Sequence, residues 1–119
     1  MKNLIYLASP YTHPEHMVQH DRFIRTCLAA AYLMERGHFV FSPIAHCHPL
    51  ALVAKLPTSF DYWQNYNRLM IARCDVFYIL QLAGYTDSKG VMGESEHAYK
   101  LGKPVYFMSE SYDIIPPKS

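Results

Sequence analysis

The segment Ser88-Lys89-Gly90-Val91-Met92-Gly93-Glu94 carries the clearest chemical signal in the chain. Gly90 and Gly93 would let a ligand approach the backbone closely. A helix starting here would offer free N–H groups and the positive end of its dipole. A carboxylate in the first turn of such a helix is favoured in its ionised form, as a nucleophile or an electrostatic stabiliser requires. From the pattern alone, the plainer reading of Glu94 as an ordinary acidic residue on an exposed helix outweighs the chemical one. Neither the GxxxxGK[ST] phosphate loop nor a GxGxxG after the first strand is present. His13, His16 and His20 fall at helical spacings of three and four, and His46 and His48 flank Cys47. Spacing alone does not make these groups converge, so no metal is expected. Tyr11, Trp63 and Tyr85 could each stack a base, although Trp63 suits a core position equally well.

The elements that must position these residues alternate between strand and helix. Leu4 to Ala8 is a short apolar run stopped by Ser9-Pro10, and it reads as a buried strand. Pro14 suits the first turn of a helix, in which Met17, Ile24, Cys27, Ala31 and Met34 recur at helical spacing until Gly37. His38 to Ser42 reads as a second strand, halted by Pro43. The proline-rich stretch from Pro43 to Thr58 leaves room for a short helix over Leu50–Lys55. Ser59 can cap a helix through Arg73, with Trp63, Tyr66 and Met70 on one face. Val76 to Leu80 is apolar on both faces, as a central parallel strand should be. Gly84 to Gly90 reads as a polar loop, Val91 to Leu101 as a helix closed by Gly102, and Pro104 to Met108 as the last strand. The tail after Ser109 has no clear period.

Short connections between such elements imply right-handed crossovers and a parallel sheet with helices on both sides. The expected fold is α/β, a flavodoxin-like three-layer sandwich with a parallel sheet of strand order 2-1-3-4, formed by one domain over residues 1–119. Ligands bind such sheets beyond the strands' carboxyl ends, where the order reverses. That crevice lies between Ser9-Pro10-Tyr11 and the loop Gly84 to Gly90. His46, in the loop after the second strand, borders it too.

Composition narrows the function classes. Eleven basic residues against ten acidic ones give a net charge of +1, which offers no electrostatic attraction for polymeric nucleic acid or an anionic membrane. The longest apolar stretches are of strand length, and the apolar run near Met1 is too short for a secretory signal. Three cysteines without CxxC spacing read as reduced thiols, and the expected location is cytoplasmic.

Several of these residues fall in order into one pattern. Ile5-Tyr6-Leu7-Ala8-Ser9, Cys74-Asp75-Val76-Phe77-Tyr78, and Ser88-x-Gly90-Val91-x-x-Glu94 with Ala98 and Leu101-Gly102-Lys103-Pro104-Val105 follow one another along the chain. Together, over roughly Asn3 to Phe107, they resemble the nucleoside 2-deoxyribosyltransferase superfamily, in particular a small branch similar to the deoxynucleoside 5′-monophosphate N-glycosidases. The resemblance implies that Glu94 attacks the anomeric carbon of a deoxyribose and that Tyr6 orients the carboxylate. It also implies that Ser88 and Gly90 hold the sugar or its 5′-phosphate. Ala8, Ser9, Pro10, Tyr11, His46 and Tyr85 complete the expected substrate site. The expected ligand is a small-molecule nucleoside or nucleotide, with no cofactor, and the expected assembly is a homodimer or homotetramer.

Two departures from the family pattern bear on the chemistry. Where the family commonly has an Asp that handles the proton of the base, this chain has Asn67, and an amide cannot act as a general acid near neutral pH. Asp61 is an uncertain substitute. The chain also ends soon after the fourth strand, leaving little room for the C-terminal region that completes a neighbouring subunit's site in relatives; Ser109 and Ser111 are speculative stand-ins. The favoured expectation is an enzyme acting on an N-glycosidic bond through a covalent glycosyl intermediate. The alternative is a nucleotide-binding module that has lost turnover.

Overall fold

Side-chain alternation along the central strands assigns each residue to one of two helical layers. The computed structural model describes residues 3–117; Met1 and Lys2, and Lys118 and Ser119, lie outside the described residues although the expected domain includes them. Strand β1 (Leu4–Ala8) pairs in parallel with β2 (Phe39–Phe41) on one side and β3 (Val76–Leu80) on the other. Strand β4 (Val105–Met108) adds in parallel to β3, giving the flavodoxin-like order 2-1-3-4. A fifth strand extends the sheet: β5 (Ile114–Ile115) pairs antiparallel to β4. The chain reverses there because Ser109 Oγ accepts the backbone N–H groups of Ser111 and Asp113 and Tyr112 takes a left-handed φ of 71°. Ser109 is therefore occupied in a turn.

On one face, Ile5, Leu7, Val76, Tyr78 and Leu80 pack against helix α1 (His16–Glu35). On the other, Tyr6, Ala8, Phe77, Ile79 and Val105 pack against helices α3 (Phe60–Arg73) and α4 (Lys89–Lys100). Helix α2 (Pro43–Ala54) packs against α1 and β1. Among the described residues, no helix is long and apolar enough to cross a membrane.

Three elements differ from the sequence-based expectation. Helix α1 buries Thr26, Ala29, Ala30 and Leu33 instead of the Met17–Met34 stripe, whose Met17 is 84% exposed. Small residues win this face because they let the helix lie close on the sheet, and Thr26 satisfies its hydroxyl between Ser9 Oγ (2.9 Å) and the Arg22 carbonyl (2.7 Å). Pro14 precedes the helix, since Glu15 is its N-cap. Helix α2 spans Pro43–Ala54, not merely Leu50–Lys55. Pro43 occupies its first turn, Ser42 Oγ accepts the Ala45 N–H, and Ile44, Cys47, His48 and Ala51 form a buried face that outweighs the internal Pro49. Helix α4 starts two residues before Val91, so Glu94 sits in its second turn and not its first.

The face assignment of α1 is open to test by urea denaturation. Leu33, 2% exposed, should lose about 2–5 kcal/mol of stability on Leu33→Ala. Met17→Ala should stay within about 0.5 kcal/mol of the parent. Equal losses would reverse the assignment.

Candidate active site

Glu94, 8% exposed, lines the crevice from α4, which packs against β3 and β4. Asn67, 5% exposed on α3, donates its side-chain N–H to Glu94 Oε2 at 3.1 Å. The Tyr6 phenol faces the same carboxylate from β1 and is fixed in place by stacking on Phe77, with ring centroids 5.3 Å apart, and by Phe41 at 5.7 Å. Tyr6 Oη does not complete an aligned hydrogen bond, and Asn67 Oδ1 has no partner among the described residues. Two buried polar atoms therefore stand beside the carboxylate with hydrogen-bonding capacity unused.

Burial raises the Glu94 carboxyl to about 7, against the smaller lowering effects of Tyr6 and then Asn67. The helix dipole expected to favour its ionised form acts mainly within the first turn, and Glu94 lies beyond it. Tyr6 is pushed well above its ordinary value by burial and then by the Glu94 charge, so it remains a neutral hydrogen-bond donor. Cys47, also in the wall, is pushed up to about 12 by burial and then by Glu94, which leaves an unreactive thiol.

The cavity above Glu94 has a volume of about 580 Å³, within the range that takes a small molecule. Its wall brings together Ser9, Tyr11, Asn67, Ser88, Gly90 and Glu94 of the expected residues, and Trp63 with them. Ala8 and Pro10 are buried behind the wall and do not line it. Tyr85 packs on the sheet and accepts a hydrogen bond from Gln81 Nε2 at 3.2 Å, away from the cavity. His46 also stays outside: it is exposed, hydrogen-bonded to Tyr66 Oη at 2.9 Å and stacked on that ring. The early start of α2 is the cause, because it turns Cys47 and His48 inward and His46 out. Asp61 lines the cavity mouth, where Lys89 pairs with it at 3.3 Å.

Ser88 caps α4, its Oγ accepting the Val91 N–H at 3.2 Å. Gly93 does not admit a ligand. A Cβ there would meet Phe60 Cζ at 2.5 Å, so the glycine serves the packing of α3 on α4. Arg22 was missed from sequence. Its guanidinium donates to the carbonyls of Tyr11, Thr12 and Ala83, tying the two loops that border the crevice. Gly84, at φ 89°, leaves room for it, since a Cβ would approach Arg22 Nη2 to 2.8 Å. An Arg in the second turn of α1, facing a Gly in the opposite loop, was the available signal. Among the described residues, no cluster of three or more His, Cys, Asp or Glu side chains could hold a metal.

The fold agrees with that of a known protein. The structure matches a 2-deoxyribosyltransferase from the psychrotolerant bacterium Bacillus psychrosaccharolyticus, characterised as a biocatalyst for nucleoside synthesis. The two share 31% identity over 89% of this chain and 72% of that one, with a TM-score of 0.51. The chain belongs to the nucleoside 2-deoxyribosyltransferase superfamily. Within it, residues 3–110 match a family described as a domain of unknown function, DUF1937. A search of curated proteins returns no match.

The buried carboxyl of this superfamily member has a consequence for stability. A carboxyl near 7 when folded, against about 4.5 when unfolded, binds more protons in the folded state between those values. Its contribution is least unfavourable below pH 4.5, becomes more destabilising as pH rises through the window, and reaches its full cost above 7. Glu94→Gln should remove that pH dependence and gain up to roughly 3 kcal/mol over the parent at pH 8, with little difference at pH 4.5. Urea titrations of both proteins at the two pH values check this, and parallel pH curves would refute it.

Proposed function

We propose that the protein cleaves or exchanges the N-glycosidic bond of a nucleoside or nucleotide, with Glu94 as nucleophile. The observation that carries this reading is the buried Glu94 carboxylate lining a small-molecule cavity, hydrogen-bonded by Asn67 and faced by the Tyr6 phenol, in a chain of this superfamily. Glu94 attacks the anomeric carbon, the C1′–N bond breaks with its electron pair going to the base, and a glycosyl ester forms. Water or a second base then takes the sugar. Asn67 holds the carboxylate with its N–H and borders the base, its Oδ1 buried without a partner in the free protein. Ser88 and Gly90 border the sugar or phosphate end, and Tyr11 and Trp63 offer aromatic faces for the base.

Base release from a panel of deoxynucleosides and their 5′-monophosphates tests the reaction. Glu94→Gln should abolish release while keeping much of the ligand affinity, because the amide is nearly isosteric but cannot readily attack the anomeric carbon. Affinity without release in the parent would leave a binding module. The pH profile tests the assignment of roles. The nucleophile must be ionised, so kcat/KM should fall below a pKa near 7; Asn67→Leu removes a contact that lowers this pKa and should shift the acidic limb to higher pH. An unmoved limb would separate Asn67 from Glu94.

Assembly belongs to the same reading. Met17, Leu28, Leu52 and Val53 are exposed apolar side chains on α1 and α2, a surface suited to a second copy of the chain. Sedimentation should give a dimer or tetramer at micromolar concentration, and a monomer alone would refute this.

A further inference from the structure

A chain of hydrogen bonds runs from the cavity wall to the surface. Tyr11, which lines the cavity, shares a hydrogen bond between its hydroxyl and His48 Nδ1. His48 Nε2 in turn lies 3.4 Å from Nδ1 of His20, which is exposed on α1. The ring of His48 is sandwiched in place, with Phe23 stacked at a centroid distance of 4.3 Å and Tyr11 edge-on at 5.5 Å. Tyr11 from the β1–α1 loop and His20 from α1 are the titratable groups in contact with it, and no carboxylate pairs with it among the described residues. The Cys47 thiol beside Tyr11 stays protonated.

We propose that Tyr11, His48 and His20 form a proton relay that protonates the leaving base and recovers the proton when the glycosyl ester is resolved. The inference rests on the glycosidic reading above and supplies what the amide of Asn67 cannot. In the first half-reaction the C1′–N bond breaks, its electron pair stays on the base nitrogen, and that nitrogen takes the Tyr11 hydroxyl proton. The Tyr11 oxygen takes the Nδ1 proton of His48, and His48 Nε2 takes the Nδ1 proton of the His20 imidazolium, which solvent has charged. Water then attacks the anomeric carbon and the ester bond to Glu94 breaks. The water proton passes to the Tyr11 oxygen, the Tyr11 proton to His48 Nδ1, and the His48 Nε2 proton to His20, restoring the first state. Burial and then His20 lower the His48 pKa, which suits a group that passes a proton on and does not retain it. Tyr11 is the catalytic member; His48 and His20 act through it.

The test compares leaving groups. Adenine from 2′-deoxyadenosine or its 5′-monophosphate needs a proton on departure, whereas nitrophenolate from the corresponding 4-nitrophenyl 2-deoxyribosides does not. Tyr11→Phe should slow adenine release by about 10²–10⁴-fold and nitrophenol release far less. His20→Asn should likewise slow adenine release more than nitrophenol release. Equal losses on both leaving groups, or no loss on adenine, would overturn the relay alone. A parent protein that releases neither would overturn the glycosidic reading itself. Imidazole ¹⁵N spectra test the relay without turnover. His48 should be the Nδ1-protonated tautomer in the resting protein, with an Nδ1 signal that moves on Tyr11→Phe. An indifferent signal overturns the relay whatever the kinetics show.

Discussion

Taking the Glu94 carboxylate out of water costs free energy, and most of the cavity's architecture can be traced to how that cost is offset. Three elements that are distant in sequence must meet at one point. Strand β1 delivers Tyr6, α3 delivers Asn67 and α4 delivers Glu94 itself. Tyr6 can be held there only because it lies on the sheet face that α3 and α4 cover, so its ring packs against Phe77 and Phe41 while its hydroxyl reaches the strand end. Shifting β1 by one residue would send the phenol to the α1 face and strand the carboxylate. The register of β1 is thus also the register of the site.

The close approach of α3 to α4 follows from the same requirement. For Asn67 to reach Glu94 at 3.1 Å, the two helices must pack tightly, and at Gly93 the Phe60 ring takes the space that a Cβ would need. A residue that looked like a ligand contact is instead a helix-packing contact one position before the carboxylate. Across the crevice, Arg22 does for the loops what Gly93 does for the helices. Its three carbonyl acceptors hold the β1–α1 loop and the loop after β3 at a fixed separation, so the cavity keeps its width.

Much of this could be read from the sequence, and the parts that could not share a physical cause. The parallel strands were visible because Leu4–Ala8 and Val76–Leu80 are buried on both faces and bounded by turn residues. Helix α2 was obscured by Pro43 and Pro49, although Ile44, Cys47, His48 and Ala51 already carried a helical period. That boundary fixed which histidine faces inward, so the error over α2 became the error over His46. The buried face of α1 was hidden because close packing on a sheet favours small side chains, and Ala29 and Ala30 give a weaker signal than Met17 or Met34. Strand β5 depends on a side-chain turn at Ser109, which hydrophobic periodicity does not register.

Asn67 shows how one substitution divides the chemistry of the site. A carboxylate at that position would stand about as close to Glu94 as the amide does, 3.1 Å away, and two carboxyls at such a separation share a proton. With one already lifted to about 7 by burial, the pair would hold that proton more firmly and leave less of Glu94 ionised. The amide does the reverse. Its N–H stabilises the ionised form, and its lack of charge adds no repulsion. What it gives up is any capacity to act as a general acid. Under the glycosidic reaction proposed above, the proton for the base would then come from elsewhere on the cavity wall, and Tyr11 is the wall residue that connects outward through two imidazoles.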